Sequence, residues 1–219
     1  MTHFLKTITL LLFLVVFVSC KSQSSVAVAK KENAVVLDDT TFVNLKNYSS
    51  DFVYDMKYAT DDNFLKAKVY DCAECYLRLK TVKALVVANQ EFIKKGYRIK
   101  LFDCYRPLDI QKKMWAIVSN PEYVADPAKG SIHNRGGAVD ITLVNKRGRE
   151  LDMGTKFDFF GIEASHAYEN LSQKVKDNRI LLKSIMIENG FNSFDSEWWH
   201  YNLKSALTDK VANEKWKCN

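Results

Sequence analysis

Apolar side chains change their spacing from segment to segment along this chain, and each change marks an element. Val82, Leu85, Val86, Phe92 and Ile93 share one face of a helix over Thr81 to Lys95, with Gly96 placed to stop it. Tyr97 to Asp103 then alternates apolar and polar residues, which predicts a strand. Pro107 breaks that strand, and Leu108 to Val118 returns to helical spacing. Upstream, Asp51 to Thr60 alternates as a strand and runs into the turn-prone Asp61, Asp62 and Asn63. Asn120 to Gly130 carries Pro121, Pro127 and several aspartate and glycine residues, and reads as a loop. Ala138 to Val144 is a β-rich run turning at Asn145 to Gly148. Helices are predicted over about 163–174 and 176–189, the second closed by Gly190, and a last strand over Trp198 to Asn202. Helices and antiparallel-looking strands in separate runs predict a single α+β domain, a central, mainly antiparallel sheet flanked by helices.

The first residues follow another rule. Lys6 precedes an unbroken apolar run from Ile8 to Val18. That run has the length of a signal peptide and falls short of the about 20 apolar residues a membrane span needs. It ends at Val18-Ser19-Cys20, which resembles the bacterial lipoprotein processing box, where the cysteine becomes the lipidated first residue. Residues 1–19 are therefore read as a lipoprotein signal peptide, 20–37 as a flexible tether of small polar residues, and 38–219 as the folded domain. An ordinary cleaved secretory signal is the alternative. Both readings take the mature protein out of the cytoplasm; the first, preferred, leaves it in the cell envelope, lipid-anchored facing the periplasm and touching membrane through the anchor only.

A chain of 219 residues that is 47% hydrophobic can build one full core. The net charge of +6 comes from lysines and arginines interleaved with acids, as at Lys30-Lys31-Glu32. Such spreading describes a solvated surface and not the basic stripe of a nucleic-acid binder. Setting Cys20 aside leaves Cys72, Cys75, Cys104 and Cys218, an even number that suits disulfides in an exported protein. Three pairings are open; Cys75 with Cys104 is preferred because each lies beside a segment predicted to be ordered. Cys72-x-x-Cys75 could instead be half of a second zinc site, although no matching pair follows.

The chemistry concentrates in two short segments. His133 and Asp140 stand seven residues apart around Gly136-Gly137, so a turn, not a helix, brings them together. Asp140 lies in the apolar run Ala138 to Leu143, where an unpaired carboxylate is costly, and either a metal or backbone amides must satisfy it. Glu197 follows 57 residues after Asp140, and His200 three residues later. Taken alone, His200 between Trp199 and Tyr201 reads as a packed core residue. Taken together, two histidines and an aspartate make the three-ligand set of a catalytic zinc, with Glu197 as a free carboxylate beside the fourth position. In a regular strand Glu197 and His200 would point to opposite faces, so the chain must bulge near Trp198, or Glu197 must stand back and reach only water. His3, in the signal, and His166 have no partner motif.

With Asp103-x-Tyr-Arg-Pro107, Ser131-x-His133-x-Arg-Gly-x-Ala-x-Asp140, Met153-Gly-Thr-x-Phe-Asp158 and Glu197-x-Trp-His200 in this order, the chain resembles the zinc D-alanyl-D-alanine dipeptidases of the VanX type from about Tyr54 to Tyr201. The resemblance implies the fold of zinc D,D-carboxypeptidases and the hedgehog signalling domain, one catalytic Zn2+ and cleavage of free D-Ala-D-Ala. It implies His133, Asp140 and His200 as ligands, Glu197 as general base, and Arg106 directed at the scissile carbonyl oxygen. It further implies Ser131 and Asp158 as holders of the substrate's carboxylate and ammonium ends. The four cysteines and the lipoprotein-like start depart from cytoplasmic relatives without touching these motifs. Two of these assignments have a plainer alternative: Arg106 as a structural ion-pair partner, Asp158 as the cap of a following helix. Two other activities compete, a zinc carboxypeptidase or endopeptidase acting on peptidoglycan stem peptides, and a non-catalytic zinc-containing wall-binding lipoprotein.

Overall fold

The computed structural model describes residues 36–216 and residue 218. The signal peptide, the lipid attachment at Cys20 and most of the tether fall outside the described residues. Strand β1 (Phe42–Asn44) opens the domain, followed by β2 (Val53–Tyr54) and β3 (Tyr76–Arg78). Helix α1 (Leu79–Lys94) leads into β4 (Tyr97–Asp103), and α2 (Leu108–Ile117) follows the break at Pro107. Then come β5 (Ala138–Asn145), α3 (Gln173–Glu188), β6 (Phe191–Phe194) and β7 (Glu197–Leu203).

Five strands form the main sheet in the order β2-β4-β5-β7-β6, and β1 pairs with β3 in a separate ribbon. Only the β2–β4 pairing is parallel, so the expected mainly antiparallel α+β architecture is what forms. Helix α1 buries Val82, Leu85, Ala88 and Phe92 at three- and four-residue spacing, with Val82, Leu85 and Phe92 contributing about 1.5–3 kcal/mol each. Val86 is half-buried and Ile93 is exposed, so the apolar face is narrower than predicted and shifted toward Ala88. These residues meet Val139, Ile141 and Leu143 of β5, together with Leu182, Ile185 and Met186 of α3, in one core. A smaller cluster under α2 gathers Tyr58, Tyr70, Met114 and Val124.

Two expectations fail. The strand predicted over Asp51 to Thr60 is only two residues long, because the chain turns into a single 3-10 turn at Lys57–Ala59. The helix predicted over 163–174 does not form beyond a 3-10 turn at Ile162–Ala164. Arg179, on α3, donates to the carbonyls of Met153, Glu163 and Ser165, holding that segment as a loop. Ser172 then caps α3 by accepting from the Val175 amide, so the helix starts where the cap stands. His166 lies in this loop, and burial pushes its imidazole down to about 4, which keeps it neutral.

The cysteines pair as Cys75–Cys104 and Cys72–Cys218, which removes Cys72-x-x-Cys75 as a metal half-site. The second bridge ties down a C-terminal segment whose Trp216 stacks on Tyr76 at 5.0 Å.

Gly136 ends the 3-10 turn His133–Arg135 with a φ of +69°, and a Cβ there would lie 2.3 Å from the Phe42 ring. Gly148 has a similar φ of +75° with nothing within 4 Å of a Cβ. Gly148→Ala should therefore cost only the left-handed conformation, about 1 kcal/mol, whereas Gly136→Ala adds a clash and should cost clearly more. Denaturant unfolding of the two variants checks the ranking, and equal losses contradict it.

Candidate active site

Asp140 and His200 are direct cross-strand partners in the β5–β7 register, which explains how residues 60 apart in sequence meet. Directly opposed side chains on one sheet face start only about 4.5–5.5 Å apart. The alternate residues Val139 and Ile141 go to the core, which leaves Asp140 on the other face. His133 arrives from the 3-10 turn before β5, folded back by Gly136-Gly137. His133 Nε2 lies 3.3 Å from an Asp140 carboxylate oxygen and 3.3 Å from His200 Nδ1, and His200 Nδ1 is 2.9 Å from Asp140.

The two 3.3 Å spacings fit a metal ion, and the 2.9 Å spacing between His200 and Asp140 is somewhat shorter. Ligand atoms about 2.0–2.2 Å from a tetrahedral zinc stand about 3.3–3.6 Å from one another. The far nitrogen of each imidazole is occupied: His133 Nδ1 donates to the Cys104 carbonyl at 2.7 Å, and His200 Nε2 donates to Asn202 Oδ1 at 2.9 Å. Both rings thereby aim a lone pair at the same point, an arrangement typical of metal-ligating histidines. Burial pushes the Asp140 carboxyl up, but the two imidazoles outweigh it and hold Asp140 well below the usual carboxylate range. Among the described residues, His133, Asp140 and His200 are the group able to hold a metal.

Glu197 begins β7, with Oε2 4.0 Å from His200 Nδ1. Its approach depends on an irregularity in β6–β7 pairing, where Ser193 faces Tyr201 but Phe194 faces Glu197. One step along β6 thus matches four along β7, which supplies the bulge that the odd spacing demands. Burial raises the Glu197 carboxyl, with Asp140 adding repulsion against the pull of His200.

Arg106 lies three residues past the end of β4, buried, with Nε and Nη2 on Asp103 Oδ2 at 3.2 and 2.5 Å and Nη1 on Gln111 at 2.9 Å. The structural ion pair weighed from sequence is therefore present. It does not exhaust the guanidinium, because five N–H groups are available and three are used. Arg106, Ser131, Asp158, Glu197 and the three ligand candidates all line one cavity of about 270 Å³. Ser131 is held by Asn134, whose Oδ1 accepts from the Ser131 amide at 2.7 Å and whose amide group donates to the Arg106 carbonyl at 2.7 Å.

Asp158 caps no helix; the 3-10 turn that follows begins after Gly161. It adopts a left-handed φ of +59°, which aspartate tolerates better than most residues. Both its oxygens accept from the Tyr58 hydroxyl at 3.1 Å. Burial and then Asp140 push its carboxyl well above the ordinary range, so it lacks a full counter-charge.

Sequence reasoning missed Tyr58, Asn134 and Asn202, and treated Asp103 only as part of a motif. Asn202 was findable, since a strand puts residues two apart on one face. Tyr58 was not, because it comes from a 3-10 turn 100 residues away from Asp158.

Residues 38–218 match a family model of the M15 peptidases described as D-Ala-D-Ala dipeptidase. The D-alanyl-D-alanine dipeptidase of Escherichia coli K12 is 35% identical, over 83% of this chain and 94% of that protein. Those of Enterococcus faecium and Streptomyces coelicolor are each 31% identical, over 69% of this chain and 85% of their own length. A match spanning nearly the whole domain, over a site built for a metal and a free carboxylate, leads to one assignment: this chain belongs to the M15 peptidase family of D-Ala-D-Ala dipeptidases and is a metallopeptidase.

Proposed function

We propose that this enzyme hydrolyses the dipeptide D-Ala-D-Ala to two D-alanines with one Zn2+ held by His133 Nε2, Asp140 and His200 Nδ1. The observation that carries the reading is a single small cavity in which three converging ligand atoms, one free carboxylate and two anchoring positions lie together. Zinc, when bound, supplies a Lewis acid for the scissile carbonyl and brings the pKa of water toward about 7.

The chain's own residues do the rest. Glu197 takes the proton of the attacking water and passes it to the amine as the C–N bond breaks. Its raised pKa, set first by burial, brings it nearer to neutrality, where a general base and acid is most effective. Arg106 offers its two remaining N–H groups to the carbonyl oxygen as negative charge develops there, and one such donor is worth about 3–4 kcal/mol. Asp103, wholly buried, fixes the guanidinium and keeps it charged. Ser131 holds the substrate carboxylate, and Asp158 the ammonium. An ammonium is the counter-charge that half-buried Asp158 lacks, which favours a substrate with a free amino end.

We also propose that the protein works outside the cytoplasm, exported by its signal segment and anchored through lipid at Cys20. Both disulfides support this placement, because such bonds persist in oxidising compartments.

Hydrolysis of free D-Ala-D-Ala by the purified protein, lost on chelation and restored by Zn2+, tests the assignment; a fully zinc-loaded protein inert toward the dipeptide refutes it. Glu197→Gln should keep the metal and lose about 10²–10⁴-fold in kcat, read by metal analysis beside turnover. Asp158→Asn should erase the preference for free dipeptide over an N-acetylated analogue, mainly through the free dipeptide's KM. An unchanged preference removes Asp158 from the ammonium site.

A further inference from the structure

The carbonyl that orients His133 belongs to Cys104, and Cys104 is joined to Cys75. Cys104 lies just past the regular ladder. The last β4–β5 pair is Asp103 with Asp140, and it follows a register shift after Leu101. The Cys104 amide is satisfied locally, donating to Asp103 Oδ1 at 2.9 Å, so this hydrogen bond ties it only to its neighbour. Its side chain adds a covalent tie to another part of the fold, beside the hydrogen bond from the neighbouring Tyr105 amide to the Tyr76 carbonyl at 3.0 Å: Cys75 immediately precedes β3, and the Cys75 carbonyl accepts from the Leu45 amide at 2.9 Å. Both sulfur-bearing residues are completely buried. The same short segment grips His133 a second time, with the Arg106 amide donating to the His133 carbonyl at 3.1 Å.

We propose that the Cys75–Cys104 bridge is a positioning element of the metal centre. It fixes the Cys104 carbonyl that holds His133 Nδ1–H, and so the presentation of His133 Nε2 to the metal and of Arg106 to the cavity. Partners that orient ligating histidines are typically worth about 10–100-fold in metal affinity. The other bridge makes the contrast. Cys72–Cys218 spans 146 residues against 29 for Cys75–Cys104, and its Cys218 is exposed. Loop-closure entropy alone ranks the longer bridge as the greater stabiliser. Metal affinity should follow the opposite rank, and this reversal separates positioning from general stabilisation.

The inference rests on the metal reading of His133, Asp140 and His200. The test uses the whole folded domain with Zn2+ in competition with a chromophoric chelator, and Co2+ for its d–d absorption spectrum, at a temperature well below unfolding. Three double variants are compared with the parent: Cys75→Ala/Cys104→Ala, the better-filled Cys75→Val/Cys104→Ala, and Cys72→Ala/Cys218→Ala. Alanine at 104 retains the carbonyl, so any loss reports its freedom and not its removal. The first two variants should bind Zn2+ about 10–100-fold more weakly, with an altered Co2+ spectrum. The third should lose thermal stability while keeping parental affinity and spectrum. Parental affinity and spectrum in the first two overturns the proposal. So does equal weakening in the third, or failure of both 75/104 variants to fold, since the bridge would then be an element of stability alone. A parent protein that binds no metal overturns the metal reading itself, a distinguishable result.

Discussion

A carboxylate in the middle of an apolar strand is the constraint on which this structure turns. Asp140 is 4% exposed, between two core residues of a strand buried along nearly its whole length. An unpaired charge there would cost several kcal/mol, more than a typical domain can spare at one position. Two imidazoles stand 2.9 and 3.3 Å from its oxygens, and a divalent cation held among the three would complete the balance. Strand register, the glycine turn and the cavity wall all follow from keeping that group satisfied on the face opposite the core.

Each functional side chain is in turn held from behind. His133 leans on a backbone carbonyl, His200 on Asn202, Arg106 on Asp103 and Asp158 on Tyr58. The outward partners choose the tautomers of the two histidines, so neither ring spends orientational freedom when a ligand arrives. Tyr58 couples two of these positions, since its hydroxyl meets Asp158 while its ring lies 5.3 Å from the Arg106 guanidinium. The Asp158 and Arg106 ends of the cavity therefore share one aromatic wall.

Much of this was legible because it obeyed simple periods. Helix α1 and strands β4 and β5 follow from spacing alone, and the convergence of His133, Asp140 and His200 from the cost of an unpaired aspartate in an apolar strand. What stayed hidden was decided by partners remote in sequence. Strands β1 and β3 are three residues each, held by pairing with each other and with segments remote in sequence, and carry too little pattern to be seen. The false helix at 163–174 had adequate spacing, but Arg179 took three of the surrounding carbonyls, and no local propensity records such a competitor. Tyr58 escaped for the same reason, since its role exists only once the 3-10 turn at Lys57–Ala59 docks beside Asp158.

The site also shows why regular structure alone could not make this enzyme. Three departures from regularity meet around the cavity: the register shift before Asp103, the Gly136-Gly137 turn, and the four-for-one slip opposite Phe194. The first brings Asp103 opposite Asp140, the second returns His133 to the strand it precedes, and the third swings Glu197 to the ligand side of β7. In an ideal sheet, Glu197 and His200 would face opposite ways, and a carboxylate three residues before a ligand could not serve the same centre. Bulges concentrate at active sites because they re-aim one side chain while the flanking ladder stays paired. Here the ladder of β5 supplies the rigidity, and the irregularities at its borders supply the convergence that hydrolysis requires.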